Sequence, residues 1–201
     1  MPASSPRWII GKSLPWSVSW TGEQSFSLRP SRDFPGLTDL VQAEHPGHGV
    51  PRFAALHVTR HRRAMVLHLC HVCGKPTHKR DRHIFPVQSG GMAMMPDNTL
   101  RYAGNIPPLH LACAERAQRL CPHLGSAYSQ PIPMPWEDAR LLPRTDVPPG
   151  MEELAKSLPP GPRVVFSCYR LYSAEFTAKV ERFRAEFADA PALETLPAAA
   201  S

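Results

Sequence analysis

Two close pairs of metal-ligand residue types stand out in the chain: Cys70-x2-Cys73, followed directly by Gly74, and His110-x2-Cys113. Two thiolates three residues apart on a tight turn can face one ion, and a glycine after the second lets the backbone turn without a Cβ clash. A redox CxxC would open a helix behind a strand, and Pro76 with the polar residues after it does not supply one. At the start of a helix, residues three apart share a face, and the positive end of the helix dipole favours thiolate charge. Together Cys70, Cys73, His110 and Cys113 form a Cys3His set suited to a structural Zn2+, closed to substrate. Cys121 and His123, in CPHL, compete with His110 for the fourth place. If a helix runs unbroken from His110 to Cys121, however, Cys113 and Cys121 stand about 12 Å apart along it, too far for one ion. Outside that alternative, Cys121 and Cys168 read as small buried apolar residues.

Five cysteines in 201 residues, with no signal-peptide core and no run of apolar residues long enough for a membrane span, suggest a cytoplasmic protein with reduced thiols. The net charge of +6 is unevenly placed. Between Arg52 and Arg82 there are eight Lys or Arg and one acid, Asp81, so the whole positive surplus lies in the segment leading into and containing the first ligand pair. Such a patch suits a polyanion such as nucleic acid, and equally a solvated basic face with no partner.

The elements that must position these residues are short. Twenty-four prolines exclude a long regular helical bundle and favour an α+β architecture. LPWSVSWTGEQSFSLR, residues 14–29, alternates apolar and polar on both sides of TGEQ and predicts a hairpin whose aromatic residues are structural. Residues 30–51 read as loop with a short helical turn at LTDLVQAE, and 53–69 as an extended segment running straight into Cys70. HLACAERAQRLC predicts a helix, excluded upstream by Pro107 and Pro108 and closed by Pro122. A Pro/Gly-rich linker with a short helix at MEELAKSL follows over 125–162. RVVFSCYRLY predicts a strand, and Ser173 caps a helix carrying Phe176, Val180, Phe183 and Phe187 on one face.

The order of these motifs resembles the treble-clef zinc fingers, and among them the HNH nucleases that carry a structural zinc. CHVCGKP stands for the knuckle, DRHIFPVQSGG for the DHIxP strand and Gly-Gly turn, and NIPPLHLACAERA for the Asn and second ligand pair, over about residues 68–120. The resemblance implies that His83 matches the general base and Asn105 the residue orienting the active-site loop. It breaks at the two positions that would hold a catalytic Mg2+ or Mn2+: Arg82 stands directly before the base, with Asp81 displaced by one, and Ala114 stands where a closing His belongs.

The resulting expectation is an α+β protein of short antiparallel strands in five parts. These are an N-terminal β-rich segment with a hairpin (1–67), a treble-clef HNH-like zinc module (68–124), a linker (125–162), a C-terminal strand and amphipathic helix (163–190) and a disordered tail (191–201). Its expected function is non-catalytic: a zinc-stabilised nucleic-acid-binding or interaction protein, DNA foremost among nucleic acids, with Arg60, Arg62, Arg63, Lys79, Arg80 and Arg82 as the phosphate contacts. An active HNH-like endonuclease, in which Asp81 reaches the metal and His78 or His123 replaces the lost ligand, is the first alternative. A protein-binding accessory factor with a purely structural zinc is the second.

Overall fold

The structure is a computed structural model of the full chain; it describes residues 8–95, 97–124, 129–144, 163–164 and 166–186, with the isolated positions 156 and 161. The architecture is α+β. The strands are β1 (Val18–Trp20), β2 (Phe26–Pro30), β3 (Thr38–Gln42), β4 (Pro51–Leu56), β5 (His83–Ile84), β6 (Gly90–Met94), β7 (Leu100–Gly104), β8 (Ile132–Pro133), β9 (Ala139–Arg144), β10 (Arg163–Val164) and β11 (Phe166–Leu171). Three helices are described in full: α1 (Val58–Leu67), α2 (Leu111–Leu120) and α3 (Ala174–Glu186). Among the described residues the strands form four small sheets, ordered β1-β4, β10-β3-β2, β6-β7-β11-β9 and β5-β8, antiparallel except for the β10–β3 pair.

The main core lies between the four-stranded sheet, α1 and α3, where Met65, Ile84, Tyr102, Trp136, Tyr169, Leu171, Phe176 and Val180 are buried together. The C-terminal strand β11 and helix follow the sequence reading, although Arg163–Val164 at the head of RVVFSCYRLY pair separately with β3 as β10. Ser173 Oγ accepts from Phe176 N at 3.1 Å, capping α3, and Phe176 and Val180 face the core. Phe187 and the tail lie outside the described residues, as does the MEELAKSL helix apart from Lys156.

Four expectations change. Residues 53–69 are not one extended segment: β4 ends at Leu56 and α1 occupies Val58–Leu67. Apolar alternation in RAMVLHLC is too short to outweigh a run of Arg, Ala, Met and Leu, which all favour helix. The helix has its own stops, since His57 Nδ1 accepts from Arg60 N at 3.2 Å and His68 ends the helix in the left-handed region, φ 53°. The helical turn expected at LTDLVQAE is instead strand β3.

The residue 14–29 alternation does mark two strands, but they do not form a hairpin. TGE folds as a 3-10 turn, after which β1 pairs with β4 and β2 with β3. Glu23 in that turn is fully buried, its carboxylate accepting from Arg60 of α1 and from His45 N as well as from the adjacent Trp20 N. Finally, the described part of the expected linker contributes to the main core. Ile132, Met134 and Trp136 are buried there and β9 is an edge of the large sheet, so proline-rich composition here reflects tight irregular backbone rather than lack of packing.

Candidate metal centre

The first ligand pair sits on a turn whose backbone is closed on itself. Gly74 N donates to Cys70 O, and Cys70 N donates to Lys75 O, both at 2.8 Å. Gly74 has φ +71°, and a Cβ there would lie 2.6 Å from the Trp16 ring, so both the turn and the indole against it require glycine. The second pair sits at the start of α2. His110 occupies the N-cap position yet makes no side-chain cap bond, because its ring faces the cysteines. A side chain from elsewhere serves as the cap: Asp81 Oδ1 accepts from Leu111 N at 2.8 Å.

The ligand atoms of Cys70, Cys73, His110 and Cys113 all lie within 4.8 Å of one another. His110 Nδ1 is 3.4 Å from Cys73 Sγ and 3.9 Å from Cys113 Sγ. Those separations match the edges of a tetrahedron with metal–ligand bonds of about 2.0–2.3 Å. His110 Nε2 donates to Pro76 O at 3.1 Å, which leaves the Nδ1 lone pair aimed at the cluster. The set could hold a metal ion and is compatible with zinc.

Electrostatics point the same way. Burial raises the Cys70 thiol above its ordinary value, against backbone N–H groups of Cys73 and His110 that stabilise its thiolate. Cys113 is pushed up to about 12, first by burial and then by the neighbouring Cys70 and Cys73. Cys70 and Cys113, both buried, resist ionising together, and a divalent cation between them would reverse that balance. Around them Val72, Phe85, Leu109 and Ala114 form a second small core that includes Cys70 and Cys113.

Cys121 and His123 are outside the cluster. Helix α2 runs unbroken to Leu120, with Cys121 as its C-cap and His123 in a following 3-10 turn. Neither Cys121 nor Cys168 is fully buried, as the apolar reading expected; both are half-buried, and the Cys168 thiol donates to Leu142 O in the large sheet.

The residues of the nuclease resemblance come out mixed. His83 is buried, its backbone paired with Leu109 and its Nδ1 3.4 Å from Asp81 Oδ1. Strand alternation does not govern Asp81, because β5 begins only at His83 and Asp81 lies on the preceding bend. Asn105 is half-buried below the β6–β7 hairpin, its carbonyl accepting from His61 Nε2 at 2.5 Å. Gly90 and Gly91 form no turn but open β6, opposite Gly104 and Ala103. Ala114 is fully enclosed in the second core.

The expected phosphate contacts divide sharply. Arg60 is 0% exposed and Arg62 2% exposed, so neither can meet a phosphate at the surface. Arg60 clamps Glu23 through two bonds of 2.6 and 2.8 Å and also donates to Val18 O. Arg62 lies 3.4 Å from Asp39 and donates to Leu40 O and Val164 O. Burial acts to raise the Glu23 carboxyl, but Arg60's hydrogen bond and charge prevail and hold it below its ordinary value. Arg63 is exposed, paired with Glu44 at 2.9 Å and laid over the Trp16 ring. Arg82 turns inward onto Thr77 Oγ1 and O. Lys79 and Arg80 are exposed, with Lys75 and His78 beside them in sequence, two residues the motif reading did not place in the surface.

No protein-family model, curated protein or solved structure matches the chain. Among the described residues no helix is long and apolar enough to cross a membrane.

Proposed function

We infer that this is a zinc-stabilised protein with a treble-clef-like module that binds nucleic acid without cleaving it. The convergence of Cys70, Cys73, His110 and Cys113 carries the reading. Four protein ligands in a closed set hold an ion for structure, with no position left for water or substrate. The ion is zinc because three thiolates and one imidazole on a tetrahedron suit a borderline-soft d10 cation, and hard oxygen-seeking cations do not compete there. Nucleic acid is favoured by the net charge of +6 and by the exposed Lys79 and Arg80 beside the knuckle.

Metal content of protein purified without added metal tests the first part. One zinc per chain is expected, lost together with the native fold in Cys73→Ser; absence of metal from the wild type would refute it. Oligonucleotide affinity that falls steeply with salt tests the second, and selective affinity for an acidic protein with none for oligonucleotides would favour the accessory-factor reading instead.

One observation favours an HNH-like endonuclease as a second reading. Asp81, out of register in the motif, reaches the ring of the base-like His83 at 3.4 Å. Its carboxylate oxygen is also held by Leu111 N, which leaves the other oxygen for a Mg2+ or Mn2+ ion. Plasmid nicking that requires either ion and vanishes in His83→Ala is its test. No nicking with either ion rejects it.

A further inference from the structure

The loop that leaves the knuckle is cationic, exposed and built against the metal ligands. Lys75, Pro76, His78, Lys79 and Arg80 are exposed, while Thr77 between them is buried. Thr77 is held from two sides: its hydroxyl and amide donate to His68 O at 2.7 and 2.9 Å, and Arg82 donates to it from beyond the loop. Two further anchors belong to the metal centre. Lys75 O accepts from Cys70 N, and Pro76 O accepts from His110 Nε2. A backbone pinned this way cannot shift without disturbing a ligand.

The acids near the loop are few and engaged. Asp81 caps α2 and meets His83. Glu137 stands 3.8 Å from Lys79, both well exposed, a contact that screening leaves weak. Lys75, Lys79 and Arg80 therefore project as three positive charges on a rigid base.

We propose that the Lys75–Arg80 loop is the phosphodiester-binding surface of this protein and that the bound metal organises it through the His110–Pro76 contact, so that metal and nucleic acid bind with positive coupling. This rests on the nucleic-acid reading above. It assigns the contact to the knuckle loop in place of the α1 arginines. Coupling between the two sites is reciprocal: if the metal strengthens oligonucleotide binding by some factor, bound oligonucleotide strengthens metal retention by the same factor. Occupation of Lys79 by phosphate also releases Glu137, whose charge opposes the ligand.

The experiment titrates metal-loaded full-length protein with fluorescent single-stranded DNA, duplex DNA and RNA of one sequence across a range of salt. Binding by wild type to one or more of these is expected, the three arms telling which polymer supplies the phosphodiester. Lys79→Ser/Arg80→Ser, on exposed positions, should keep fold and metal, weaken binding by about tenfold or more and lower the salt slope by about two. Glu137→Gln should tighten binding about twofold. His110→Cys preserves a four-ligand set and removes the ring that reaches Pro76. It should keep one metal and lose about fivefold in affinity, and wild type should lose metal to a chelator correspondingly more slowly when oligonucleotide is bound. If wild type binds while the double variant binds equally well, the loop assignment is wrong and the nucleic-acid reading survives. Equal binding by metal-loaded His110→Cys, with no effect of oligonucleotide on metal loss, overturns the coupling. No binding by wild type to any of the three polymers overturns the nucleic-acid reading together with the inference.

Discussion

Helix α1 and the Lys75–Arg80 loop come from the same strongly basic segment, and they put their charges to opposite uses. In α1, Arg60 and Arg62 are withdrawn from solvent onto Glu23 and Asp39, acids that lie 37 and 23 residues earlier in the chain. In the loop, Lys79 and Arg80 remain in water, with a loose ion pair between Lys79 and Glu137. A buried guanidinium works as a structural clamp that joins strands to a helix, and it can offer nothing to a ligand. An exposed one contributes little to stability and remains available for binding. Local charge density therefore says how many cations a segment has, while the position of distant acids decides which of them reach the surface.

The largest expected effect separates the two regions by metal. If the Cys3His set holds zinc, stripping it forfeits the binding energy that closes the second core, roughly 10 kcal/mol or more in structural zinc sites. Amide exchange should then accelerate at Cys70, Gly74 and Leu109 and in the loop, and change less in α1, whose clamps are ion pairs; uniform acceleration would mean the two regions do not unfold separately. Next in size, Arg60→Met strands the buried Glu23 carboxylate and should cost about 3–5 kcal/mol in denaturant unfolding. A cost below 1 kcal/mol would show that Arg60 is not the clamp described here.

A third outcome concerns acid. His61, within α1, is fully buried, and burial lowers it to about 4 despite its bond to the Asn105 carbonyl. The neutral ring is the native form, so its contribution is complete above the ordinary histidine value and is lost as pH falls through about 4. Relative to 6.5, that is about 3 kcal/mol of acid destabilisation. His61→Gln should flatten the stability profile between pH 6.5 and 4, which urea titrations at several pH values will measure. An unchanged slope would place the acid sensitivity elsewhere. Smaller again, Ser173→Ala removes the α3 cap and should cost about 1 kcal/mol. Smallest, Lys79→Ser should move stability by less than about 0.5 kcal/mol, against several for Arg60→Met; comparable costs would erase the contrast between buried clamp and exposed loop.

Parts of the site were legible because their signals are local. Cys70-x2-Cys73-Gly74 and His110-x2-Cys113 specify their turn and helix start within a few residues, and the helical rise over Cys113 to Cys121 already placed Cys121 out of reach. The strand before Ser173, and its helix, were equally plain. The 53–69 segment was misread because six alternating residues imitate a strand, while the capping of α1 by His57 Nδ1 is an unusual signal with no place among common N-caps. The core role of Ile132, Met134 and Trp136 was hidden by the prolines around them.

The sequence by itself determined the ligand chemistry, the spacing that lets four side chains share one ion, the mixed α+β character and the total positive charge. These follow from residue identity and short-range geometry. Only the tertiary structure decided which arginines are buried, that Asp81 caps α2 beside His83, that Trp16 lies against Gly74, and that His110 reaches the Pro76 carbonyl. Each depends on contact between segments distant in the chain, where desolvation and available partners, rather than local preference, set the free energy.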